Sequence, residues 1–115
     1  MSSETITRND LTNILNEVLP SSSQSQDGTL TTNVYYSRRG STVMLKVDNY
    51  SITNTSNVTL LGTLPAELKP PLQLYSSGFA SGSVVSYVRV DTDGKVYGYR
   101  STAGNLLCSI TWGVA

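Results

Sequence analysis

The sequence predicts an all-β domain, an antiparallel β-sandwich or jelly-roll-like barrel, preceded by a short N-terminal α-helix. Three observations predict it. From Thr29 onward, short runs rich in Val, Thr and Tyr recur between Gly-, Asn- and Ser-containing turn signals. The clearest of these runs alternates apolar and polar residues with a period of two, as a half-buried strand requires. Residues 1–20 instead repeat their apolar positions at helical spacing.

The elements follow in order. Leu11, Ile14, Leu15, Val18 and Leu19 fall at i, i+3, i+4, i+7 and i+8, which draws one apolar stripe along a helix. Thr7 is placed to cap its N-terminus, and Asp10 sits near the positive end of the helix dipole. Pro20 stops it, because the residue before a proline is pushed toward extended geometry. A helix this short is marginal alone in water, so its stripe must pack on its own β-domain or on copies of itself. We take the stripe as an oligomer interface. Residues 21–28 read as a flexible polar linker. The chain thus divides into a helix and linker over residues 1–28 and a β-domain over residues 29–115.

Residues 29–37 form the first expected strand, and Arg38-Arg39-Gly40-Ser41 a turn. Val43, Leu45 and Val47 then alternate with Met44, Lys46 and Asp48, completing a hairpin. Residues 50–53 extend the sheet, Asn54-Thr55-Ser56-Asn57 turns, and residues 58–61 form another strand. Pro65, Pro70 and Pro71 donate no ladder hydrogen bonds, so residues 62–71 are not a central strand. We expect them to carry the chain out of one sheet and into the next. Residues 72–75 resume extended structure, and residues 76–82 make a flexible loop. Val84, Tyr87, Val88 and Val90 form a strand, Asp91-Thr92-Asp93-Gly94 a turn, and Val96, Tyr97 and Tyr99 the return. Ala103-Gly104-Asn105 turns again, and residues 106–114 close the chain.

Composition narrows the function. The 115 residues suit one compact domain. A net charge of +0 argues against nucleic acid or an anionic membrane as partner. Charged residues make up only 14%, against about 25% in a typical soluble domain. Ser, Thr and Asn supply the polarity, which suits extracellular or virion proteins or a surface partly buried in an oligomer. There is no histidine, so Ser-His-Asp and Cys-His catalysis and His-based metal sites are excluded. The single cysteine, Cys108, leaves no internal disulfide to form and lies in the apolar run 106–110, where it reads as a small buried hydrophobe. Met1-Ser2-Ser3-Glu4 lacks the basic and apolar regions of a signal peptide. No run approaches the roughly 20 apolar residues that span a bilayer. Synthesis in a cytoplasm without membrane insertion is the expectation.

Few residues invite a site. Asp91 and Asp93 are the only close carboxylate pair, but a calcium loop needs further ligands and an acidic closer, and Lys95 stands where that acid would help. We read them as a hairpin turn and expect no metal, no cofactor and no enzymatic activity. The sequons at Asn49, Asn54 and Asn57 arise readily in so Asn-, Ser- and Thr-rich a chain, and we set them aside. Arg38-Arg39 could meet a phosphate or carboxylate, but reads first as a solvated hairpin tip. The chain holds 7 Tyr against 1 Trp and 1 Phe, and aromatics with a polar tip suit interfaces and sugar faces. Tyr35 and Tyr36 are adjacent, so only one can face the core, whereas Tyr97 and Tyr99 share a face. Core or subunit packing is the plain explanation for most of these rings. The functional one places Tyr75, Tyr87, Tyr97 and Tyr99, with Asp91, Asp93 and Asn105, along a shallow glycan groove.

Two segments resemble a known kind of protein. Leu64-Pro65-Ala66-Glu67-Leu68-Lys69-Pro70-Pro71, followed by Val88-Arg89-Val90-Asp91-Thr92-Asp93-Gly94-Lys95-Val96 and a closing strand with Trp112, is similar to small β-domains of bacteriophage tail-fibre and baseplate proteins. Those often carry a Leu/Ile-Pro-x-x-x-(Arg/Lys)-Pro crossover before a strand ending in an Asp-Gly hairpin. Residues 7–20 also resemble the short starting helix of phage and prophage structural proteins. The resemblance implies a homotrimeric virion component of the tail tip or baseplate, made in the bacterial cytoplasm. Its partners would be copies of itself, other tail proteins and a host-surface glycan. A purely structural assembly or head-decoration protein and a cell-bound lectin-like module are the alternatives.

Overall fold

The computed structural model describes residues 25–114. The expected helix and its stripe, Leu11, Ile14, Leu15, Val18 and Leu19, lie outside the described residues. The rest is β1 (Ser25–Thr31), β2 (Val34–Arg39), β3 (Thr42–Ile52), β4 (Thr59–Thr63), β5 (Leu74–Ser77), β6 (Ser86–Val90), β7 (Lys95–Arg100) and β8 (Gly104–Gly113), with a 3-10 turn over Ala66–Leu68. These strands form two four-stranded sheets, ordered β1-β2-β3-β8 and β4-β7-β6-β5. Every strand pair is antiparallel. The domain is an all-β sandwich, with β1 beside β4 along one side and β5 and β6 against β8 along the other.

The first hairpin differs from expectation. β1 starts at Ser25, so residues 25–28 are strand and not linker. The stretch 29–37 is two strands, broken at Thr32-Asn33, where Asn33 takes φ 65°. Asparagine tolerates this left-handed conformation, so the turn needs no glycine or proline to announce it. The next turn, Gly40-Ser41, has Gly40 at φ 63°, the positive value a two-residue hairpin requires at its first position.

β3 carries the core into both halves of its length. Val43, Leu45 and Val47 are buried at odd positions. A β-bulge between Asp48 and Tyr50, with Asn49 at φ 57°, then shifts the phase by one residue. Ile52, at an even position, is therefore also buried. Without the bulge it would point to solvent with Met44 and Lys46. These side chains meet Leu61, Val88, Val90 and Val96 from the second sheet.

The proline segment does not change sheets. β4 and β5 belong to one sheet, at its opposite edges, and the segment runs between them across the end of the sandwich. Because β5, β6 and β7 are consecutive neighbours and β4 returns beside β7, the sheet is a Greek key. Leu64 and Leu68 point into the core end and are 3% and 0% exposed. The Trp112 indole Nε1–H donates to the Leu68 carbonyl at 2.8 Å, tying the segment to β8. The changes of sheet occur between β3 and β4 and between β7 and β8. At the first of these, Asn54 Oδ1 accepts from the backbone N–H of Ser56 at 3.0 Å and of Asn57 at 3.3 Å.

Candidate functional site

Strand alternation builds one face of unusual composition. On β6 and β7, Val88, Val90 and Val96 are buried, and Gly98 packs against Leu106 and Leu61. Tyr87, Arg89, Tyr97 and Tyr99 therefore project from the opposite, outer face. The register sets Tyr75 of β5 opposite Arg89 and Arg89 opposite Tyr97. It also sets Tyr87 opposite Tyr99. Leu60 of β4 stands opposite Tyr97 and is 52% exposed. The face spans all four strands of this sheet.

The rings touch one another. Tyr75 and Tyr87 have centroids 5.8 Å apart at 55°, and Tyr87 and Tyr99 are 5.3 Å apart at 35°. Such tilted cross-strand pairs each contribute about 0.5–1.5 kcal/mol beyond area burial. The Tyr99 hydroxyl donates to the Thr55 carbonyl at 3.1 Å, which fixes that end of the row to the β3–β4 loop. Tyr75, at the other end, is 59% exposed and offers the most open ring.

Arg89 organises the second row. Its guanidinium lies 4.3 Å from the Tyr97 ring centroid, within cation–π range. Its Nε is 3.0 Å from Asp91 Oδ1 but off the hydrogen-bond axis, and Nη2 donates to Oδ2 at 3.4 Å. Burial works against the Arg89 cation, but the Asp91 carboxylate and the Tyr75 side chain outweigh it and hold the charge. Gln73 Nε2 donates to Asp91 Oδ1 at 2.8 Å.

The expected site residues separate into two groups. Tyr75, Tyr87, Tyr97, Tyr99 and Asp91 come together on or beside this face. Asp93 does not join them. It sits in the β6–β7 hairpin, where its Oδ1 accepts from the Lys95 backbone N–H at 3.0 Å. The Gly94 N–H donates to the Asp91 carbonyl at 2.9 Å, and Gly94 takes φ 88°, so the loop is a tight turn closed by a glycine bulge. Asn105 lies on β8, in the other sheet, with its carbonyl accepting from Arg100 Nη1 at 3.1 Å. Arg89, Gln73 and Leu60 belong to the face without having been singled out. Arg89 was the findable one, since it alternates with Tyr87 at period two.

Arg38, Arg39 and Cys108 hold structural positions. Arg38 is not a solvated tip residue. It is 3% exposed, with Nε donating to the Gly40 carbonyl at 2.8 Å. Arg39 meets a carboxylate, Asp27 of β1, at 2.7 and 3.0 Å. Cys108 is half-buried rather than fully buried, and burial pushes its thiol pKa up, against hydrogen bonds that include one to the Ser76 carbonyl. Comparison with known protein families and with curated proteins finds no match to this chain.

Proposed function

We propose that this domain is a non-enzymatic binding module of a phage or prophage virion, at the tail tip or baseplate, and that it lays a host-surface glycan across the outer face of β5, β6 and β7. One observation carries the glycan reading: the row Tyr75–Tyr87–Tyr99 crosses three strands with ring centroids 5.8 and 5.3 Å apart. That row presents rigid apolar surface with polar tips, the combination that stacks on the C–H faces of sugars and bonds their hydroxyls. The Arg89–Asp91–Gln73 cluster adds a charge-balanced polar patch beside it. The virion setting and the homotrimer rest on the resemblance of residues 7–20, 64–71 and 88–96, and the apolar stripe at Leu11, Ile14, Leu15, Val18 and Leu19 is the proposed trimer contact.

A glycan array probed with the labelled full chain tests the reading. Tyr75→Ala with Tyr87→Ala should lower the signal about tenfold, the factor that 1.4 kcal/mol represents. Tyr35→Ala, on the outer face of the other sheet, should leave it unchanged. A second reading, a virion assembly or head-decoration protein without a receptor, draws on the exposed Leu60 beside Tyr97, which suits a protein partner better than a sugar. No signal on any glycan, together with stable association with another tail protein, would select that second reading.

A further inference from the structure

Away from the tyrosine row, the two sheets meet edge to edge at β5 and β8. The Ser76 hydroxyl donates to the Ser109 carbonyl at 2.9 Å, and the Phe79 N–H donates to the Leu107 carbonyl at 2.7 Å. The Cys108 thiol points at the carbonyls of Ser76 and Ser77, at 3.4 and 3.5 Å. Outside this seam is a shallow depression of about 470 Å³ whose lining includes Lys46, Ser76, Ser77, Phe79, Leu107 and Ser109. That volume falls within the usual range for small-ligand sites, roughly 300–1,000 Å³.

Three features of the lining point to one ligand chemistry. Phe79 is 76% exposed, more than any other large apolar side chain among the described residues. Its backbone is nonetheless pinned, by its own N–H on β8 and by the Gly78 N–H donating to the Ser86 carbonyl at 2.8 Å. An aromatic ring held out on a fixed backbone is a stacking wall that loses little entropy when covered. Lys46, opposite Ser109 in the β3–β8 register, forms no ion pair among the described residues. The lining holds this one cation and no carboxylate. Ser109, its register partner, is exposed beside it.

The geometry points to a binding site for a single acidic pyranose unit, a sugar bearing a carboxylate. Its C–H face stacks on Phe79, its carboxylate meets the Lys46 ammonium, and a ring hydroxyl bonds Ser109. The site is separate from the tyrosine face, and neither depends on the other.

Amide chemical-shift titration of the full chain tests it, with glucuronate as the probe, glucose as its neutral counterpart and acetate as the carboxylate alone. Glucuronate should shift the Phe79, Leu107 and Ser109 amides saturably, in the millimolar range expected of one exposed sugar subsite, about −4 kcal/mol. Lys46→Gln should weaken glucuronate about fivefold and leave glucose unchanged. Phe79→Ala should weaken both sugars. Both substitutions are at exposed positions, and the dispersion of the same spectra checks that the variants are folded. Absence of saturable shifts at these amides would overturn the proposal. So would equal shifts with acetate alone, or glucuronate binding indifferent to Lys46→Gln. The Tyr87 and Tyr99 amides report the tyrosine face in the same spectra, so failure there and failure here are told apart.

Discussion

Replacing Leu68 by alanine asks whether the proline segment closes the core. Leu68 is 0% exposed at the end of the sandwich, and its carbonyl accepts the Trp112 indole N–H at 2.8 Å. The substitution removes three carbons, at about 0.8 kcal/mol each in transfer free energy. Buried Leu→Ala changes cost 2–5 kcal/mol once the residual cavity is included. Leu68 lies on a short 3-10 turn and not in a sheet, so the backbone can settle partly into the space. That places the expected loss near the lower half of the range, about 3 kcal/mol. A domain of this size changes Tm by roughly 4–8 °C per kcal/mol, which predicts a fall of about 12–24 °C. Urea unfolding followed by fluorescence reads this directly, because the chain has 1 Trp and it contacts the altered turn. Leu72→Ala is the control: Leu72 is 69% exposed just past the prolines and should change stability by no more than about 0.5 kcal/mol. A Leu68→Ala loss under about 1 kcal/mol, with an unchanged denaturant slope, would refute the account of the segment as the closure of the core.

Gly98→Ala should destabilise by about 1–3 kcal/mol, because a Cβ there falls 2.5 Å from Leu106 Cδ2 and 3.2 Å from Leu61 Cδ1 in a packed interior. Thermal unfolding measures this, and a neutral result would mean that Leu106 repacks freely. The Asp27 carboxyl is held below the ordinary carboxylate range first by the hydrogen bond from Arg39 and then by that from Ser37. A carboxyl lowered on folding stabilises above its unfolded value, near 4, and loses that contribution as pH falls through the lower folded value. Asp27→Asn should therefore cost a small, salt-screened amount at neutral pH, and the gap to the parent should close as pH falls through the lowered folded value. A gap that persists in acid would assign the effect to packing.

Local pattern made part of this fold legible and left the rest hidden. The alternation of Val43, Leu45 and Val47 announced one buried strand face, but Ile52 required the bulge at Asn49, which no residue pattern marks. The turn at Thr32-Asn33 was invisible because asparagine reached positive φ in place of glycine. The prolines correctly marked a break in the ladder. Their destination was not legible, since it depends on β4 pairing with β7 across more than thirty residues of chain, a non-local choice. The candidate site divides the same way. Tyr97 and Tyr99 share a face by alternation alone, but joining them to Tyr87 and Tyr75 needed the register of three strands. Asn105 looked near in sequence but lies in the other sheet, because the chain changes sheets between Arg100 and Gly104.

The two outer faces of the sandwich are built differently, and that difference bears on function. The face of β1, β2, β3 and β8 presents Asp27, Ser37, Lys46, Ser109 and Thr111, with Tyr35, Met44 and Leu107 among its partly exposed apolar members. A solvated sheet thus needs few aromatics in this protein. Ring pairing accounts for Tyr87 and Tyr99, which pack against each other and are held by Thr55. It does not account for Leu60 and accounts only in part for Tyr75, which meets Tyr87 on one side; the two stand at opposite edges of the second face, 52% and 59% exposed. The exposed part of their surface contributes little to the fold and gains from being covered. Leu60→Ser should accordingly change unfolding free energy by no more than about 0.5 kcal/mol, and Tyr75→Ser by about the 0.5–1.5 kcal/mol of its pairing with Tyr87. Tyr75→Ser should still lower glycan binding several-fold, by loss of a stacking ring worth about 1 kcal/mol. Leu60→Ser should lower it only if the ligand reaches across all four strands. Should binding instead fall in step with stability in both variants, the rings would be reinforcing the sheet, and the face would lose its claim to be a binding surface.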